Sequence, residues 1–177
     1  MDVKYVLQAV LFASIKHSQQ RRKDKAQTPY INHPIEVANL LVEVGKVEDA
    51  NVVVAALLHD TLEDTATTPT EIENCFGSKV LEIVQQVTDD KSLPKLERKR
   101  LQIVHAPSLC TEAKLIKLAD KICNVKSVLD DPPYFWENHQ RRDYLIWAKN
   151  VVQGLRGTNL PLEQMFDQLY DRLLEIK

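Results

Sequence analysis

The sequence predicts an all-α fold, a bundle of about eight to ten helices, and three observations carry the prediction. Only 4 of 177 residues are glycine. Apolar residues recur at spacings of three and four along nearly the whole chain, the period of one helix face. No stretch shows the alternation between turn signals that marks a strand.

The expected helices fall at 3–19, 34–44, 48–63, 69–76, 78–90, 94–106, 110–129, 136–154 and 160–175. Pro34, Pro69, Pro94 and Pro161 each stand where a first helical turn begins, a place that tolerates proline because its backbone N–H lacks a partner anyway. Within 48–63, the uninterrupted apolar run from Val52 to Leu58 predicts a helix buried on all sides, the central element of the bundle. The helix at 110–129 is instead amphipathic, with Leu115, Leu118, Ile122, Val125 and Leu129 on one side. Asp131-Pro132-Pro133 then stops it firmly before 136–154. No internal repeat or linker interrupts the series, and 177 residues suit one domain over 1–177 with a single core.

Composition removes several classes of function. Charged residues make up 27% and hydrophobic ones 44%, an ordinary globular balance. A net charge of -2 gives no bulk attraction to nucleic acid, so any anion must be bound by a local patch. Three cysteines, Cys75, Cys110 and Cys123, without CxxC spacing, suggest neither a disulfide framework nor a thiolate zinc site. With no signal-peptide core and no long apolar span, a cytoplasmic protein without a membrane partner is expected.

The segment from Ala55 to Asp64 is the most informative, because an apolar helix runs into His59, Asp60, Glu63 and Asp64. Burying such groups is costly unless something pairs with them, and a divalent metal or a substrate does so. Helical spacing sets His59 above Glu63 and Asp60 above Asp64. On this segment alone, an ordinary buried histidine–aspartate pair with two solvated carboxylates explains the pattern equally well.

Two further strings bear on that choice. In Thr28-Pro29-Tyr30-Ile31-Asn32-His33-Pro34, the residue before proline favours an extended backbone, so His33 is expected to project from the rim of a helix N-terminus, as a metal ligand or a cap. In Lys117-Leu118-Ala119-Asp120-Lys121-Ile122-Cys123-Asn124, Asp120 interrupts the helix near its apolar seam, with Lys117 and Asn124 on its face. Alone, Asp120 reads as a solvated residue paired with a lysine. Together with His33, His59 and Asp60 it completes an imidazole–carboxylate set suited to Mn²⁺, Zn²⁺ or Fe.

The adjacent His59-Asp60 pair resembles the signature of the HD-domain metal-dependent phosphohydrolases. Longer strings sharpen the likeness: RRKD at 21–24, TPYINHP at 28–34, ALLHDTLED at 56–64, VTDDKSLPKLERKR at 87–100 and KLADKICN at 117–124. Together they look like the small animal homologues of the RelA/SpoT family, over residues 5 to 160, with a C-terminal helix at 160–175 beyond the motifs. The resemblance implies an HD-domain helical fold, one Mn²⁺ per chain, and removal of the 3′-pyrophosphate of (p)ppGpp in a starvation (stringent) response. It places the metal on His33, His59, Asp60 and Asp120 and gives Glu63 and Asp64 the activation of water. It sets residues matching Arg22, Lys23, Asn124 and Ser127 beside the nucleotide, with Tyr144 as a further contact or a core aromatic. The synthetase half of long family members is absent, so no pyrophosphate transfer from ATP is expected.

The residues themselves add cations for an anionic substrate. Lys16, Arg21, Arg22, Lys23 and Lys25 cluster ahead of His33, where a guanidinium can pair with phosphate and stack on a base. Lys95, Arg98, Lys99 and Arg100 form a second basic stretch, either a diphosphate contact led by Lys95 or a solvated face. His17, His105 and His139 are expected to be surface or structural residues, consistent with a mononuclear site. Lys126 departs from the arginine usual in similar sequences, and the two are not interchangeable where two hydrogen bonds are needed. Against (p)ppGpp as the nucleotide substrate stands the 2′-phosphate of NADPH, which the same metal and water would serve. Two remoter alternatives are another HD-type phosphatase and a nucleotide-binding protein that has lost its chemistry.

Overall fold

A computed structural model describes residues 2–176. Nine α-helices occur among them: α1 (Val3–Lys16), α2 (Asn32–Glu43), α3 (Ala50–Leu58), α4 (Thr61–Asp64), α5 (Pro69–Val87), α6 (Lys95–His105), α7 (Thr111–Asp130), α8 (Asn138–Gln153) and α9 (Leu160–Asp171). Short 3₁₀ turns follow α6 and α9 at Ala106–Ser108 and Arg172–Glu175. The only β pairing among the described residues is one antiparallel bridge between Arg21 and Pro29. Among the described residues, no helix is long and apolar enough to cross a membrane.

The core forms around α3, which packs against α1, α2, α5 and α7. Every residue from Val52 to Leu58 is buried, as the unbroken apolar run requires of a helix surrounded on all sides. Around it the amphipathic helices turn one stripe inward, with Val37 and Leu41 from α2 and Ile116, Leu118, Ile122 and Val125 from α7.

Local chemistry sets the boundaries. Asp2 caps α1 by accepting from the Lys4 and Tyr5 amides, and Asp49 caps α3 through the Asn51 amide. Thr68 and Glu71 form a reciprocal capping box that starts α5 immediately before Pro69. Inside α5, Gly77 holds φ 83° and ψ 165°, a break between the two expected helices at 69–76 and 78–90.

Two expectations are corrected here. The helix expected over 48–63 does not run through: α3 ends at Leu58 and a separate turn, α4, begins at Thr61. Side chains terminate it, because His59 Nδ1 lies 2.8 Å from the Ala56 carbonyl and Thr61 Oγ1 donates to the Leu58 carbonyl at 2.7 Å. Those bonds satisfy carbonyls that would otherwise draw the chain into a further helical turn. His33, expected in extended backbone ahead of Pro34, lies inside the first turn of α2. Its amide donates to the Tyr30 carbonyl at 3.0 Å, and its ring is buried against His59, 5.4 Å between centroids. Tertiary packing there overrides the bias before proline. Pro34 is still tolerated, since its missing N–H falls among the unpaired donors of the first turn.

Candidate active site

Three elements converge on one buried point. The first turn of α2 supplies His33, the junction between α3 and α4 supplies His59 and Asp60, and the middle of α7 supplies Asp120. His33 Nε2 lies 3.0 Å from Asp120 Oδ1 and 3.9 Å from Asp60 Oδ2. His59 Nε2 lies 3.1 Å from Asp60 Oδ2 and 3.8 Å from Asp120 Oδ1. The donor atoms of His33, His59 and Asp60 all fall within 4.8 Å of one another, and Asp120 closes the group from α7.

The electrostatics of this cluster call for a cation. His59 Nδ1 faces the Ala56 carbonyl and so carries its proton, which turns Nε2 toward the carboxylates; that buried atom has no hydrogen-bond partner. Burial would depress His59, yet the Asp60 and Asp120 carboxylates outweigh it and push its pKa up to about 10. Burial would likewise raise Asp120, but the Lys121 ammonium, 2.8 Å from Oδ2, and the two imidazoles hold it well below the usual carboxylate range. Asp60 is lowered too, its burial overcome by His59 and His33. A divalent ion meets the same demand for positive charge, and two imidazoles with two carboxylates are a donor set that suits one.

Neighbouring polar groups hold those side chains in place. Tyr30 Oη donates to Asp60 Oδ2 at 2.6 Å, while burial and the Asp60 charge raise its pKa far enough to keep it a donor. Asn124 Nδ2 donates to Asp120 Oδ1 at 2.5 Å.

Glu63 and Asp64 face the same chamber, which encloses about 170 Å³. Glu63 Oε2 accepts from the Asp89 amide at 3.0 Å, and its Oε1 lies 3.3 Å from Lys91 Nζ and 3.6 Å from Arg98. Burial lifts the Glu63 pKa above the ordinary value, against the lowering pull of the Asp89 amide and Lys91. Asp64 accepts from Lys91 Nζ at 2.6 Å and from Gln20 Nε2 at 3.2 Å.

The chamber shares Tyr30, His33, Asp64, Lys91 and Asn124 with a larger outer cleft of about 850 Å³, a size typical of small-molecule sites. Arg21, Arg22, Lys23, Ser127 and Tyr144 line it, as does the exposed Lys126. Arg22 stacks over the Tyr30 ring at 5.8 Å and donates to Ser127 Oγ at 3.1 Å. Tyr144 sits between Trp136 and Trp147, with centroids 5.6 and 5.2 Å away, and burial pushes its hydroxyl up to about 12.

Some expected residues land elsewhere. Lys95 lines neither space, because α6 points Arg98 and Gln102 inward instead; Gln102 donates to Asp89 at 2.6 Å. Lys16 pairs with Glu71 at 2.6 Å, outside the cleft. Of the two places expected for His17, surface or structural, it takes the second: it is buried. Sequence reasoning gave no role to Tyr30, Gln20, Asp89 or Lys91, and named Lys117 only as a possible pair for Asp120. All but Gln20 lie inside strings that carry the family resemblance, and that was their available signal.

The sequence model of the HD domain family matches residues 9–149. A guanosine-3′,5′-bis(diphosphate) 3′-pyrophosphohydrolase, MESH1, of Xenopus tropicalis is 52% identical over 169 residues, covering 96% of this chain and 94% of that protein. The human protein of the same name is also 52% identical, with the same coverage. A bacterial relative from Aquifex aeolicus is 40% identical over 129 residues, 70% of this chain but only 18% of that longer protein. A solved structure of a metazoan ortholog of SpoT, which hydrolyzes ppGpp and plays a role in starvation responses, superposes with a TM-score of 0.94. The two are 44% identical, and the match covers 97% of each chain. Fold, ligand geometry and near-full-length similarity thus agree: the chain belongs to the HD-domain family, among the animal relatives of RelA and SpoT.

Proposed function

We propose that this protein is a Mn²⁺-dependent hydrolase that removes the 3′-pyrophosphate of (p)ppGpp, giving GDP or GTP plus pyrophosphate, and that one cytosolic domain carries the whole reaction. The observation that carries the reading is the single chamber in which two further carboxylates, Glu63 and Asp64, face a buried imidazole–carboxylate set. Relatives 52% identical and named for this activity support the choice of substrate.

His33, His59, Asp60 and Asp120 would hold the ion, which lowers the pKa of water toward neutrality and offsets charge on the phosphoryl oxygens. Glu63, raised by burial, is a stronger base than a solvated glutamate and takes the proton of the attacking water. Asp64, fixed by Gln20 and Lys91, orients that water. The water oxygen adds to the phosphorus next to the ribose; the bond from that phosphorus to the 3′ oxygen breaks, and this oxygen takes a proton from solvent, balancing the one that Glu63 accepted and later returns to solvent. Arg22 and Lys23 bind phosphate at the cleft wall, Ser127 and Asn124 steady Arg22 and Asp120, and Tyr144 offers an aromatic face to the base.

A cleft of about 850 Å³ has room for more than the reacting phosphates, so NADPH, giving NADH and orthophosphate, is the competing substrate. Purified protein loaded with Mn²⁺ and given each nucleotide separately decides between them. Pyrophosphate from ppGpp, lost in Asp60→Ala, is the expected result. Orthophosphate from NADPH without turnover of ppGpp would replace the alarmone reading with the dinucleotide one.

A further inference from the structure

His17 is absent from the chemistry above, yet it reaches it through Gln20, the residue that fixes Asp64. His17 ends α1 and is 2% exposed, and its Nδ1 lies 2.7 Å from Gln20 Oε1. Gln20 Nε2 in turn lies 3.2 Å from Asp64 Oδ2. An ionised carboxylate only accepts hydrogen bonds, so the amide nitrogen of Gln20 must face Asp64. Its oxygen then faces His17, which must donate from Nδ1. The remaining His17 nitrogen, Nε2, is buried without a partner, as an unprotonated ring nitrogen can be and an N–H cannot without cost. Each proton in the chain thus has one place.

The surroundings hold this arrangement rigid. The Gln20 backbone donates to the His17 carbonyl at 2.9 Å and its carbonyl accepts from the Tyr30 amide at 3.1 Å. The His17 ring lies 5.0 Å from the Tyr30 ring, whose hydroxyl holds Asp60.

We propose that His17 and Gln20 are positioning residues: the His17 Nδ1–H orients the Gln20 amide, and that amide holds the Asp64 carboxylate in the direction the attacking water needs. The relay rests on the hydrolase reading for its effect on rate, but its proton arrangement does not depend on it. Neither side chain bonds a residue of the metal cluster or Arg22, so loss of the relay is expected to fall mainly on kcat.

The test combines kinetics with nitrogen-15 spectra of the histidine rings in the Mn²⁺-free protein. Gln20→Ala and His17→Ala are expected to lower kcat for ppGpp by about tenfold or more, as small misplacements of catalytic groups do. KM should stay within about threefold, the sign of an interaction used in the transition state. His17→Asn restores an N–H at the Nδ1 position and is expected to recover most of the loss. His17 should appear as the Nδ1–H tautomer. Unchanged kcat in Gln20→Ala, failure of asparagine to recover more than alanine, or an Nε2–H tautomer would each overturn the relay. Gln20 is half-exposed, so its variant keeps the test alive if His17→Ala fails to fold. An inactive wild type with the expected tautomer would sink the hydrolase reading and leave the relay standing.

Discussion

At the scale of the residue, environment separates chemically similar side chains into different tasks. Asp60 and Asp120 are held ionised by imidazole and ammonium neighbours, whereas burial raises Glu63 toward the range of a useful base. Lys91 tunes that last group, since its ammonium lies 3.3 Å from Glu63 Oε1 and favours the carboxylate. Replacing Lys91 by Met removes a lowering influence, so the Glu63 pKa rises further. The acidic limb of the kcat/KM profile is expected to move to higher pH, and an unmoved limb would assign the base elsewhere. The four residues proposed as ligands were picked out mainly through family strings; composition and spacing alone left His59-Asp60 open to an ordinary buried pair. Tyr30 shares the string of His33, yet its bond to Asp60 was not legible. Its partner Asp60 lies 30 residues away, and no local pattern announces such a bond.

At the scale of the element, periodicity located the helices and side-chain chemistry displaced their ends. The break after Leu58 matters for function, because it places His59 and Asp60 at a junction between two helical segments. An apolar run cannot reveal it, since the interruption comes from side chains that compete for the last carbonyls of α3. Lys95 was misplaced for a related reason: within α6 the inward register belongs to Arg98 and Gln102, and four basic residues in six positions conceal which face is inward. The break in α5 is testable. Gly77 adopts φ 83°, ψ 165°, a region closed to side chains, and an added Cβ would meet no atom within 4 Å. Gly77→Ala should therefore cost roughly 1–3 kcal/mol through backbone strain alone. Denaturant unfolding measures it, and an unaltered midpoint would show that the segment relaxes freely.

At the scale of the whole molecule, one helical core holds side chains from α2, the α3–α4 junction and α7 in register, so the ion and the fold support each other. Anything bound only by the folded state stabilises it, by about 2.7 kcal/mol at a hundredfold excess over Kd. For a chain of this size, chelation should lower the Tm by roughly 5–10 °C, and Asp60→Ala should remove the difference. A Tm indifferent to chelator would mean that the cluster is a structural ion-pair network.

The proposed function divides labour within one chamber: His33, His59, Asp60 and Asp120 hold the ion, and Glu63 moves the proton. Measuring Mn²⁺ affinity and pyrophosphate release on the same preparation of Glu63→Gln tests it most directly. A Kd for Mn²⁺ within about threefold of wild type is expected, together with a kcat lower by about 10²–10⁴-fold, the usual contribution of a general base. Full turnover in that variant, or loss of the ion together with activity, would contradict it.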